Sequence, residues 1–144
     1  MDNELIMHEK DYLMRLIKSF NDAIVRIVGL LDSEEEYKVK EIISSTKDIL
    51  GFDEDFEKKK LDDLAEYFSV SSSELEKSDM LSQLLFLESK IILDKELKIN
   101  NLLKAKFLVE LYNRKSNIFS LERQNRIKLI ENDLMTLKNE IDSF

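Results

Sequence analysis

Three observations predict an all-α fold. The chain of 144 residues has no proline and only two glycines, Gly29 and Gly51. Sandwiches and barrels depend on many turns built from those residues, whereas helices joined by short polar links need few. Apolar residues also recur at spacings of three and four along most of the chain, the signature of one helix face. Finally, 43% hydrophobic and 36% charged residues make a globular chain with a core, not a disordered one. The expectation is a single domain, residues 1–144, built as a bundle of five to six antiparallel helices.

Taken in order, residues 1–8 read as a flexible tail and residues 9–51 as a helical hairpin. Leu13, Leu16, Ile17, Phe20, Ala23, Ile24, Ile27, Val28 and Leu31 form the apolar face of its first helix. Met14, Val25 and Leu30 widen that face, enough to predict contact with more than one neighbouring helix. Arg15, Lys18 and Arg26 share a narrow polar strip; a membrane-surface helix could show this too, but a capped partner helix follows within about two residues and can cover the apolar face, so the helix reads as a core wall. Ser33 with Glu36 is the pattern of a capping box for the second helix. That helix buries Val39, Ile42, Ile43, Thr46, Ile49 and Leu50 and stops at Gly51, the residue that best accepts a left-handed cap.

Residues 52–72 read as one short helix and a linker, with Leu61, Leu64, Ala65 and Phe68 as the apolar positions. Ser73 with Glu76 predicts a second capping box, opening residues 73–144. The next helix runs from about Glu74 to Leu93, "DKEL" reads as a turn, and another helix spans about Leu97 to Asn113. "RKSN" links it to the last. There Ile127, Ile130, Leu134, Leu137 and Ile141 follow a three-four register over about two heptads. A terminal helix packed on its neighbour accounts for that seam, and pairing of two subunits is the alternative.

Charge divides the chain. The formal net charge is −8. Residues 1–72 hold ten Lys and Arg against eighteen Asp and Glu, whereas residues 73–144 balance at twelve of each. Residues 98–128 alone carry +6, from Lys98, Lys104, Lys106, Arg114, Lys115, Arg123, Arg126 and Lys128 against Glu110 and Glu122. An acidic front and a basic later segment can face each other within one chain, between two chains, or toward separate partners.

Little here supports catalysis. There is no cysteine, hence no disulfide, thiolate nucleophile or Cys-based zinc site. The single histidine, His8, precedes the first helix, and "HEKDY" lacks the second histidine of a zincin motif. Asp53, Asp55 and Glu57 imitate the start of a calcium loop, but the glycine is missing and Leu64 stands where the closing glutamate belongs. Two glycines 22 residues apart make no phosphate loop. Phe107, Tyr112 and Phe119 interleave with the basic segment as in a single-strand binder, yet an acidic chain is repelled by a polyanion. Asp2 and Glu4 stand where a signal peptide carries positive charge, and no apolar run is long enough for a membrane span.

The stretch "KDYLMRLIKSFNDAI", Lys10 to Ile24, followed by "DILGFDEDF", Asp48 to Phe56, resembles an uncharacterised family of small bacterial all-helical proteins. Lys10, Asp11, Tyr12, Met14 and Arg15 match that family's opening, with Leu13 for its usual isoleucine. Leu50, Gly51 and Phe52 match its turn. "LESKIILDKELKINNLLKAKFLVELY", Leu87 to Tyr112, is similar to a degenerate tetratricopeptide-type helical pair, departing from that pattern in having Ala105 as almost its only small residue and no glycine in "DKEL". The resemblance implies a bundle grading into a short tetratricopeptide-like stack, and no reaction.

The function expected is therefore a non-catalytic cytoplasmic protein-interaction module, an adaptor or scaffold without cofactor or metal and without a membrane partner. Lys104, Lys106, Arg114, Lys115, Arg123 and Arg126 are the candidate positions for an acidic protein partner. The alternative is a structural homodimer through Ile127, Ile130, Leu134, Leu137 and Ile141. Nucleic-acid binding and enzymatic activity are remote.

Overall fold

The computed structural model describes residues 2–142, with side chains from His8 onward. Among the described residues every regular element is helical. Among the described residues there are seven helices, against the five to six expected, and the chain divides after Leu50 into two compact units.

The first unit is an αα-hairpin of α1 (Asp2–Leu31) and α2 (Glu36–Leu50). The expected tail over residues 1–8 is helical from Asp2, and Met1 lies outside the described residues. Leu16, Phe20 and Ile27 are the buried side chains of α1, and Val39, Ile42, Ile43, Thr46 and Leu50 are buried on α2. Ile49, expected among them, is exposed. At the α-helical rise the 30 residues of α1 span about 45 Å and the 15 of α2 about 22 Å, so one helix cannot cover the other. Leu13, Ile17, Ile24 and Leu31 are half-buried and Met14, Val25 and Val28 exposed; α2 reaches back only to about Leu16, and beside it Val25 and Val28 lie at the edge of a stripe wider than one helix covers.

Ser33 does not cap α2. Its hydroxyl donates to the Leu30 carbonyl at 2.8 Å and closes the end of α1, while Glu34 takes a left-handed φ of 62° in the corner. Gly51 follows α2 at φ 85°, the position sequence assigns to it.

The second unit contains α3 (Glu54–Glu57), α4 (Leu61–Phe68), α5 (Ser72–Ser89), α6 (Lys95–Ser116) and α7 (Leu121–Asp142). The acidic stretch read as a turn is the single-turn α3, started by Asp53, whose carboxylate accepts from the Phe56 amide at 2.8 Å. This turn gives the helix that sequence reading omits. Phe52 stacks on Phe56 at 4.6 Å, and Phe68 meets both edge-on, which fastens α3 and α4 together.

Helices α5, α6 and α7 run up, down and up, with α6 contacting α4, α5 and α7. A helix with three neighbours needs apolar residues most of the way round, and α6 buries Leu102, Ala105, Leu108, Val109, Leu111 and Tyr112. The α5–α6 crossing is close because small residues line it. Ser78, Ser82 and Ser89 of α5 are fully buried, as is Ala105 of α6. Ser82 donates to the Ala105 carbonyl at 2.7 Å across the crossing, while Ser78 and Ser89 bond back to Leu75 and Phe86 of their own helix. A buried serine thus serves as a small residue once its hydroxyl has a partner.

Candidate interaction site at the α6–α7 corner

The first half of α5, the last turns of α6 and the first turns of α7 meet at one end of the second unit, and two arginines are buried there. Arg126, 3% exposed, donates from Nη1 to Asp79 Oδ1 at 2.7 Å. It also grips Glu122 in a two-point fork, Nη2 to Oε2 at 2.6 Å and Nε to Oε1 at 3.2 Å. Gln83 of α5 donates to the same Glu122 oxygen at 3.2 Å. Each buried cation therefore has a carboxylate in reach, the condition on which a buried charge is tolerated.

Arg123 performs a different task. Its Nε donates to Asn113 Oδ1 at 2.7 Å, its Nη2 donates to the Ile118 carbonyl, and its guanidinium lies 4.4 Å over the Tyr112 ring. Tyr112 in turn donates to Glu76 Oε1 at 2.8 Å. Burial, then the hydrogen bond to Glu76 and its negative charge, push the Tyr112 phenol up to about 12, with Arg123 opposing. A neutral Tyr112 is thereby held as a donor and a stacking platform for Arg123.

The link held in this way is Asn117 to Ser120. Asn117 takes the left-handed conformation that ends α6, φ 55°, which asparagine tolerates better than most residues. The Ile118 amide donates to the Ser116 hydroxyl, and the Arg123 amide donates to Ser120 Oγ, both at 3.3 Å. The link is fixed from both ends and from below, yet its side chains point outward. Ile118 is 62%, Phe119 77% and Leu121 67% exposed. Arg114 and Lys115, in the last turn of α6, stand exposed beside them.

The six basic positions chosen from sequence do not form one open face. Arg123 and Arg126 are buried and bound as described. Lys104 donates to the Glu57 carbonyl at 2.5 Å, and Lys106 sits 3.6 Å from Glu131 and 3.9 Å from Glu110. Arg114 and Lys115 are the pair left exposed at the corner. Asp79 and Glu131, acids from outside the segment, offset part of its formal +6, and the cations share no single open face, which equally weakens its reading as a nucleic-acid surface. The heptad seam is likewise engaged at home. Ile130 and Leu137 are buried, Ile127 and Leu134 half-buried, and Ile141 exposed.

Clefts also lie elsewhere among the described residues. One of about 230 Å³ lies in the first unit along Leu16, Phe20, Ala23, Ile42 and Ile49. Another, about 310 Å³, lies in the second unit along Glu57, Leu85, Leu97, Asn101 and Lys104. Asn101 bonds the Leu85 carbonyl and Glu88 at 2.9 Å each, so its amide serves the helix pair rather than a ligand. His8 is exposed on α1, and among the described residues no three acidic, His or Cys side chains are grouped to hold a metal. No helix of the described residues is long and apolar enough to cross a membrane.

Sequence reading missed Asp79 and Asn113 and took Glu76 only for a cap partner, because nothing local marks a carboxylate or amide that will face an arginine 47 or 10 residues away or a tyrosine 36 away. It also passed over Ile118 and Leu121. The available signal is "SNIFSLER", where bulky apolar residues occupy a turn instead of a helix face. Compared with protein-family models, curated proteins and solved structures, the chain matches none of them.

Proposed function

We propose that the chain is a non-catalytic protein-interaction module of the cytoplasm that docks on an acidic protein surface through the α6–α7 corner. The observation that carries the reading is a rigid apolar display. Ile118, Phe119 and Leu121 are held outward by a link whose backbone a buried arginine fixes. Large apolar residues at the centre with cations at the rim are the composition of a protein-binding patch. Pre-fixing the loop lowers the ordering cost of association. Arg114 and Lys115 supply the rim and direct the choice of an acidic partner. The likeness to the small bacterial helical family and to a tetratricopeptide-type pair is in keeping with this class of function, since helical stacks present surfaces to other proteins.

A photo-crosslinking residue at position 119, used in the full chain in its host, tests the reading. Adducts are expected on an acidic protein segment, and Arg114→Glu with Lys115→Glu should abolish them. An adduct pattern unchanged by that double substitution, or no adduct at all, overturns the proposal.

A further inference from the structure

The chain carries a second exposed apolar surface; Lys18 and Arg26 lie along its edge on α1, and the α1–α2 corner at its end has the opposite charge. Met14, Val25 and Val28 stand exposed on α1, 68%, 72% and 51% open. Ile17 and Ile24 beside them are half-buried. Val25 and Val28 form the side of the α1 stripe that α2 leaves uncovered. The stripe runs into the α1–α2 corner, where Asp32, Glu34 and Glu36 are exposed within about two turns of Val28. The whole first unit is acidic, with seven Lys and Arg against eleven Asp and Glu over residues 1–50.

The two corners are mirror images in chemistry. One αα-corner shows Ile118, Phe119 and Leu121 beside Arg114 and Lys115. The other shows Val25 and Val28 beside Asp32, Glu34 and Glu36. We infer that the partner of the α6–α7 corner is a second copy of this chain. The Phe119 tip of one molecule docks on the Val25–Val28 surface of the next, and Arg114 and Lys115 face the acidic α1–α2 corner. This inference rests on the reading of the α6–α7 corner as a docking tip and adds the identity of its occupant.

Two physical consequences follow. The contact joins different surfaces of the two molecules, so it is head-to-tail, and it closes into a ring or grows open-ended according to the rotation between successive copies. Each corner also offers only a few apolar side chains, far short of the roughly 800 Å² per partner of a standard interface. Association is accordingly weak, and because its rim is ionic it weakens further as salt is raised.

Sedimentation velocity on the full chain at low salt, over a series reaching tens to hundreds of micromolar, tests this with two variants at exposed positions, F119D and V28D. The wild type should sediment faster as concentration rises. Each variant alone should lose that rise, with association weakened about tenfold or more. Mixed one to one, they should recover association but stop at a dimer, because each mixed pair retains one intact contact. A wild type that stays monomeric, a single variant that assembles like the wild type, or an inert mixture each overturns the inference. Persistent crosslinks from position 119 to another acidic protein, with a monomeric wild type, would leave the docking tip standing and reject only the second copy. Absence of both results rejects the tip as well.

Discussion

Arg126 of α7 and Asp79 of α5 meet at 2.7 Å across 47 residues of sequence, with the arginine side chain 3% exposed. The ion pair closes the α5–α7 contact, and with Glu122 it leaves no guanidinium edge facing apolar surface alone. Removing Asp79 leaves Arg126 with Glu122 as its remaining carboxylate and its buried Nη1 without that charged partner, a smaller loss than stranding the whole charge. Asp79→Ala should therefore lower unfolding stability by about 2–3 kcal/mol in urea titration. Lys90→Ala, which removes the exposed Lys90–Asp133 pair at 3.1 Å, should change it by about 0.5 kcal/mol or less. Equal effects at the two sites would contradict the assignment of Arg126 as a buried, pair-dependent cation.

The two glycines should respond to alanine with opposite signs. A Cβ at either position meets nothing within 4 Å, so clash plays no part. Gly29 lies inside α1, where alanine restricts the unfolded chain and favours the helix by up to about 1 kcal/mol. Gly51 sits at φ 85°, where an L side chain costs about 1 kcal/mol or more. Thermal unfolding of Gly29→Ala and Gly51→Ala should move the midpoint up and down respectively.

Ser82 tests how close the α5–α6 crossing is. It is fully buried and donates 2.7 Å to Ala105 across the helix pair. Ser82→Ala keeps the volume and removes one hydrogen bond, a loss of about 1 kcal/mol. Ser82→Leu adds bulk where backbones approach, with a further loss of about 1–3 kcal/mol. Denaturant midpoints that rank leucine above alanine would mean that the crossing has room to spare.

Alkaline pH should act through Tyr112. Its phenol ionises near 10 when unfolded and at about 12 when folded, because the folded protein buries it against Glu76. The unfolded state therefore releases the proton first. Stability from this group is intact below pH 10 and is lost as the pH climbs from 10 through 12. Ultraviolet titration should show a late phenolate that Tyr112→Phe removes. Tyr67 is raised as well, by burial and then by Glu74, so some upward-shifted signal should survive the substitution.

How much of this was legible beforehand differs by length scale. The hairpin of α1 and α2, the stop at Gly51 and the terminal helix all follow from apolar spacing and a cap, which act within a few residues. The helix starts, unlike the stop at Gly51, were read to within two or three positions and no better. Ser71, not Ser73, accepts from the Glu74 amide at 3.2 Å and starts α5. Three serines in a row offer the same chemistry, and only the burial of Met80, Leu81, Leu84 and Leu85 sets the phase. Asp94 caps α6 through the Leu97 amide at 3.0 Å, so "DKEL" opens a helix that was expected to begin later. Ser33 was assigned to the start of α2 and belongs to the end of α1, because a hydroxyl between two helices can serve either.

Charge was the least legible property. A count over residues 98–128 gives +6, and it cannot tell that Arg123 is holding a carbonyl or that Arg126 is enclosed by two carboxylates. The sequence by itself determined that this chain is helical throughout, since helix formation depends on a local period and on the absence of breakers. Tertiary structure alone decided which side chains face water. Burial arises where three helices from distant parts of the chain converge, so it took the α5–α6–α7 meeting to hide two arginines and leave Phe119 outside.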